Sequence, residues 1–204
     1  MLVTLAAGAG LFATGCTSTE EPPRVTSTAP VIVPGKPGEP AKTLGPGDPI
    51  PAIPSPTVNA TDVRYVQDMI VHHRQALEMA SLAPDRAKST RLKSLADRIY
   101  DAQGPEIKVM TTWLQTEGLP EPDHHADHAT MPGMATQSQM TSLRTATGSD
   151  FDHLFLTLMI AHHQGAITMA ENQMINGSHE QVLRWANDVI AEQSAEIRRL
   201  QEML

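Results

Sequence analysis

The chain has 204 residues, 3% of them aromatic, and a formal charge of −8 from 23 acidic and 15 basic side chains. That size suits one ordinary domain plus tails, and the acidic balance excludes a nucleic-acid partner, which would need a basic face. A single cysteine, Cys16, rules out an intrachain disulfide.

Residues 1–15 are uncharged and apolar or small. They are shorter than the roughly 20 residues that span a bilayer and fit the apolar part of a secretory signal. The run closes Phe12-Ala13-Thr14-Gly15-Cys16, which resembles a bacterial lipobox. The resemblance implies that residues 1–15 are removed and that Cys16 is lipidated, palmitate included, as the new N-terminus. Residues 16–60 follow as a linker. The stretch from Thr17 to Asn59 holds eleven of the sixteen prolines. Without hydrophobic periodicity, it predicts a disordered, partly polyproline tether with no strand.

The folded domain is expected over 61–204. Asn59 or Thr61 caps a first helix with Asp62 in its first turn, and Pro84 stops it near Ala83. A second helix from about Asp85 carries Leu92, Leu95, Ala96, Ile99, Ile107, Met110 and Leu114 at helical spacing. Gly104-Pro105 predicts a kink or a break there. Residues 119–136 read as a loop. A short helix over about 138–146 leads to a third long helix from Gly148 to Asn176-Gly177, and a fourth runs from about Ser178 to the end.

The domain repeats itself at an offset of ninety residues. Met69-Ile-Val-His72-His73 is matched by Met159-Ile-Ala-His162-His163, and eight of nineteen positions from Asp62 and Asp152 onward are identical. Ala96, Gln103, Glu106 and Ile107 recur as Ala186, Gln193, Glu196 and Ile197. The repeats span about 62–110 and 152–200. Each is one helical hairpin, which cannot bury its apolar face alone. Two together predict an all-α four-helix bundle.

On a helical wheel with Met69 at zero, His73 falls at about 40°, His72 at about −60° and Met79 at about −80°. Met79 therefore stands over His72, and the second copy repeats the pattern with Met159, His162, His163 and Met169. If the hairpins pack about a pseudo-twofold axis, four imidazoles and four thioethers converge. Thioether sulfur is soft and imidazole borderline, so the mixture favours copper. Against this, methionines at helical spacing also serve as core filler, and adjacent histidines point about 100° apart. A second candidate set lies in the loop: His124, His125, His128, Met131 and Met134. Glu106, Glu196, Gln103 and Gln193 are candidate hydrogen-bond partners for the histidines.

These motifs, with the run His162-His163-Gln-Gly-Ala-Ile-Thr-Met169-Ala170 and the preceding Met131-Pro-Gly-Met134, resemble the DUF305 family. The resemblance covers 61–204. It implies a ferritin-like four-helix fold in the cell envelope, of the kind found in CopM-like copper-binding lipoproteins. It also implies Cu(I) or Ag(I) bound by Met69, His72, His73, Met79, Met159, His162, His163 and Met169, with Met131 and Met134. A di-iron carboxylate site needs Glu-x-x-His pairs on facing helices. The predicted helices carry none, Asp150-x-x-His153 being the nearest.

The expectation is a membrane-anchored, extracytoplasmic lipoprotein that binds copper for sequestration, tolerance or delivery and is not an enzyme. Its partners would be the metal ion, the membrane through its lipid, and a second copy or an envelope metal-handling protein. The alternative is a structural or interaction bundle whose histidines pack and hydrogen-bond without metal.

Overall fold

The computed structural model describes residues 29–33, 40–49, 57–122 and 131–204. The signal segment, Cys16 and the loop histidines His124, His125 and His128 lie outside the described residues. The chain divides into two compact units, residues 1–54 and 55–204.

The first unit corrects the expectation of a strandless tether. Val31–Val33 (β1) pairs antiparallel with Lys42–Leu44 (β2), Val31 opposite Leu44 and Val33 opposite Lys42. The β-branched Val-Ile-Val run favours an extended pleat. Pro30 stands just outside the strand, where it removes no ladder hydrogen bond.

The second unit is helical: α1 Ala60–Ser81, α2 Ala83–Arg86, α3 Thr90–Thr116, α4 Gln137–Thr145, α5 Gly148–Asn176 and α6 Glu180–Gln201. The long helices α1, α3, α5 and α6 form the bundle, α1 packing on α3, α5 on α6, and α1 on α5. Among the described residues, no helix is long and apolar enough to cross a membrane.

Asn59 begins α1 with a capping box. Its side chain accepts from Thr61 and Asp62 N–H while the Asp62 carboxylate accepts from Asn59 N–H. Pro84 does not merely stop the first helix. It sits in the opening turn of α2, where its missing N–H has no helical partner to lose. The second long helix starts five residues later than expected, at Thr90, capped by Ser89. Gly104-Pro105 does not break it. Asp101 and Pro105 both lie on the exposed side of α3, where water can take the carbonyl that proline leaves free.

The two hairpins cap each other. Asp62, fully buried near the start of α1, accepts from Ser178 N–H and His179 N–H just before α6, and from the Gln173 amide. Asp152, at the equivalent position of α5, accepts from Lys88 and Ser89 N–H just before α3, at 2.9 Å each. Burial raises the Asp62 carboxyl, and the hydrogen bonds from Asn59, Gln173, Ser178 and His179 outweigh it, leaving the group below its ordinary range.

The core is layered. One apolar cluster takes Met79, Leu92, Leu95, Ile99, Phe151, Phe155 and Met159; the other takes Tyr65, Met69, Met110, Trp113, Val182 and Val189. Apart from Asp62 and Gln173 near helix ends, the buried polar residues of the four long helices fall between the two: His72 and His73, Gln103, His162 and His163, and Gln193.

Candidate metal centre

Wheel positions place His72 and His73 on the inward side of α1, and His162 and His163 do the same on α5. All four are at most 1% exposed. Because α1 and α5 pack directly on each other, the two pairs meet. The rings of His72 and His162 lie with centroids 3.7 Å apart at 32°.

The outer histidine of each pair turns to the second helix of its own hairpin. His73 Nε2 lies 2.7 Å from Glu106 Oε2, and His163 Nε2 lies 2.7 Å from Glu196 Oε2, in both cases 33 residues on. His72 Nε2 donates to the Pro132 carbonyl at 3.1 Å. A carbonyl only accepts, so this nitrogen carries the proton and Nδ1 keeps the lone pair. A carboxylate partner fixes the same tautomer in His73 and His163. In all four rings Nδ1 has no protein partner, and in His162 Nε2 has none either.

Burial, with the neighbouring imidazole of His73, pushes His72 down to about 3 despite the Pro132 carbonyl. Burial and the surrounding histidines push His162 well below its ordinary value. Burial lowers His163 although Glu196 pulls it up. These three rings are neutral at physiological pH, the protonation state in which imidazole binds a metal. Burial raises the Glu106 carboxyl, but the hydrogen bond and charge of His73 leave it below the ordinary range. Burial and contact with Glu106 raise Glu192 to about 7.

The repeat methionines flank this layer from both sides. Met69 is buried in one apolar cluster with Met169 packed against it, and Met79 and Met159 are buried in the other. Met131 and Met134 are half-buried and delimit a turn closed by Met134 N–H on the Met131 carbonyl, with Pro132 second and Gly133 third at φ 76°. That order is the signature of a type II turn. Gln75 pins the turn to α1 with two hydrogen bonds to Ala135, at 2.7 and 2.9 Å. Its repeat counterpart, Gly165, admits the turn against α5, since a Cβ there would collide with the Pro132 carbonyl. The turn thus straddles equivalent positions of both copies and covers His72.

Of the candidate residues, the structure brings the four histidines together and pairs two of them with the glutamates. Gln103 and Gln193 are buried at the same level, and both polar atoms of the Gln103 amide have no protein partner. Sequence reasoning missed Gln75, Gly165 and the Pro132 carbonyl. The one available signal was that position 75/165 breaks the repeat, Gln against Gly.

Among the described residues, no three His, Cys, Asp or Glu side chains stand together as a metal-ligand set. The donors that do converge are paired imidazoles between layers of thioether. Such a set suits a soft monovalent cation with few ligands and poorly suits Mg²⁺, Ca²⁺ or Mn²⁺. The unpartnered Nδ1 atoms fit that chemistry, because a buried polar atom left unpaired costs about 1–3 kcal/mol.

No curated protein matches the chain. Solved structures do. A DUF305 protein of Streptomyces coelicolor, described as secreted, is 31% identical over 71% of this chain and 91% of its own, with a TM-score of 0.66. A DUF305 fragment from Deinococcus radiodurans is 32% identical over 72% and 97%, with a TM-score of 0.67. CopM in its Cu(I)-bound form is 34% identical over 71% and 95%, with a TM-score of 0.60, and is also known in Cu(II)-bound and Ag-bound forms. The domain of unknown function DUF305 matches residues 62–204, and the chain belongs to that family.

Proposed function

We propose that this protein binds a soft metal ion, Cu(I) or Ag(I), through the imidazole layer and the thioethers beside it. It holds the ion for sequestration, tolerance or delivery and does not turn over a substrate. One observation carries the reading. The rings of His72 and His162 meet at 3.7 Å with Nδ1 free in both, while His73 and His163 are oriented by glutamates. Carboxylate-oriented imidazole with an unengaged second nitrogen is how metal-binding histidine is commonly held. The likeness to CopM, described with Cu(I), Cu(II) and Ag bound, supports the same choice of metal.

In this reading His72, His73, His162 and His163 supply nitrogen. Met69, Met79, Met159 and Met169 supply sulfur from the two faces of the layer, and Met131 and Met134 supply it from the turn above. The domain works outside the cytoplasm, lipidated at Cys16 and tethered to the membrane. The lipobox-like Phe12–Cys16 run and the S. coelicolor relative described as secreted support that placement. Methionine and histidine remain usable ligands where thiols oxidise.

The test is competition for Cu(I) against a chromogenic chelator under reducing conditions. The unaltered chain is expected to withdraw Cu(I) from the chelator, and the His72→Ala/His162→Ala double variant to lose this ability. If the unaltered chain never competes, the layer is structural packing and the metal reading is wrong. If the double variant competes undiminished, the site lies elsewhere.

A further inference from the structure

His73 also forms the inner wall of a pocket of about 200 Å³, lined besides by Tyr65, Glu106, Met110, Trp185, Asp188 and Glu192. Asp188 and Glu192 are exposed on α6 and Glu106 is half-buried, so negative charge sits at the mouth, in full once the pH is above the value of about 7 at which Glu192 titrates. Deeper in, Met110 is 4% exposed and offers a thioether. Tyr65 is 5% exposed, and its hydroxyl, which feels the charges of Glu106 and Asp188, has no protein partner.

The repeat provides an internal comparison. Ninety residues away, the surroundings of His163 replace Tyr65 with Phe155, Met110 with Leu200, Trp185 with Leu95, Asp188 with Arg98 and Glu192 with Ala102. Phe155, Leu200 and Leu95 are all at most 1% exposed. The Glu196 side chain is 13% exposed against 32% for Glu106. One side of the layer is therefore acidic and open, whereas the other is basic at the rim and plugged with hydrocarbon.

We propose that the pocket beside His73 is the port through which a soft cation reaches the imidazole layer, gathered by Asp188 and Glu192 and met first by the Met110 sulfur. The inference rests on the metal-binding reading above and adds a route and a direction to it. Rim carboxylates raise the local cation concentration and the rate of capture without needing to hold the ion at equilibrium. Tyr65 hydroxyl oxygen and the Trp185 ring face give a partly dehydrated cation further contacts on the way.

The probe is Ag(I), added as the nitrate in chloride-free buffer and followed in time by the fluorescence of Trp113 and Trp185 in the full chain. Asp188→Asn/Glu192→Gln is compared with Asp97→Asn/Asp101→Asn, a pair of equal formal charge on another face, in buffer held about 1.5 units above the value of about 7 at which Glu192 loses its proton; all four sites are exposed, so folding is checked simply by circular dichroism. The rim variant is expected to load about tenfold more slowly at low ionic strength, with a shrinking difference as salt is added and an end-point affinity within about twofold of the unaltered chain. The control pair is expected to load at the unaltered rate. An unchanged rate in the rim variant, with Ag(I) still bound, overturns the port and leaves the metal-binding reading standing. An affinity that falls in step with the rate also overturns it, because the carboxylates would then hold the ion. No uptake by the unaltered chain sinks both.

Discussion

The Nε2 atom of His163 lies 2.7 Å from Glu196 Oε2, the same distance at which His73 meets Glu106 in the other copy. A carboxylate so placed keeps the proton on Nε2 and leaves Nδ1 to bind. Glu196→Gln offers either an amide N–H or a neutral carbonyl, so the tautomer is no longer enforced. Cu(I) affinity should fall about 10- to 100-fold with little change in helicity. Competition against a graded series of chelators measures this, and an affinity unchanged within error would show that the pair is structural.

Replacing the stacked rings separates stability from binding. His72→Phe/His162→Phe removes three unpaired buried nitrogens, while enlarging both rings and leaving the Pro132 carbonyl without its His72 donor. The metal-free variant should stay folded and lie within about 3 kcal/mol of the unaltered chain, because relief of the unpaired nitrogens, about 1–3 kcal/mol, offsets an overpacking cost of similar size. It should lose the rise in Tm that Ag(I) gives the unaltered chain. Thermal melts with and without Ag(I) check both halves, and a metal-dependent rise that survives in the variant would contradict the second.

Acid should loosen the bundle in two stages. His72 is held at about 3 in the folded chain against an ordinary 6.5, and His162 and His163 are also lowered. The unfolded chain therefore takes up protons that the folded chain refuses, and the stability present in full above pH 6.5 is lost as pH falls toward 3. Asp62, with its carboxyl lowered, adds stability that is present above its unfolded value of about 3.9 and is lost as pH falls through the folded one. Tm should be level above pH 7 and decline below about 6. The double Phe variant should decline less between 6 and 4 and keep the steep limb below it. A Tm constant from pH 7 to 4.5 would contradict this assignment.

Gly165 is where the turn over His72 meets α5. In Gly165→Ala the added Cβ runs into the Pro132 carbonyl, so either the turn lifts or the helix shifts, at about 1–3 kcal/mol. His72 then loses its acceptor and Gln75 its partner at Ala135. Chemical denaturation should show the stability loss, and hydrogen exchange should show the Ala135 amide losing protection. An unperturbed Ala135 amide would mean that the turn is held without this contact.

The bundle was legible because the repeat is nearly undisguised: identical His-His pairs and identical Gln-x-x-Glu-Ile runs ninety residues apart require two equivalent hairpins. The inward histidines and their glutamates could be read from helical spacing. The docking of Pro132 on His72 could not, because it joins residues sixty apart through a main-chain carbonyl. Nor could the asymmetric pocket, since Asp188 and Glu192 look like ordinary solvated positions until Tyr65 and Met110 are seen beneath them. The β1–β2 pairing was hidden by the prolines around it. The role of Asp62 escaped because its first-turn position already explained it.

Asp62 and Asp152 each fix the approach to a helix that belongs to the opposite hairpin. A lone first hairpin would leave Asp62 with only the Asn59 N–H to receive, and would have an ungoverned turn before its second helix. The smallest self-sufficient form of this architecture is thus a couple, whether its halves are joined in one chain or supplied by two identical ones.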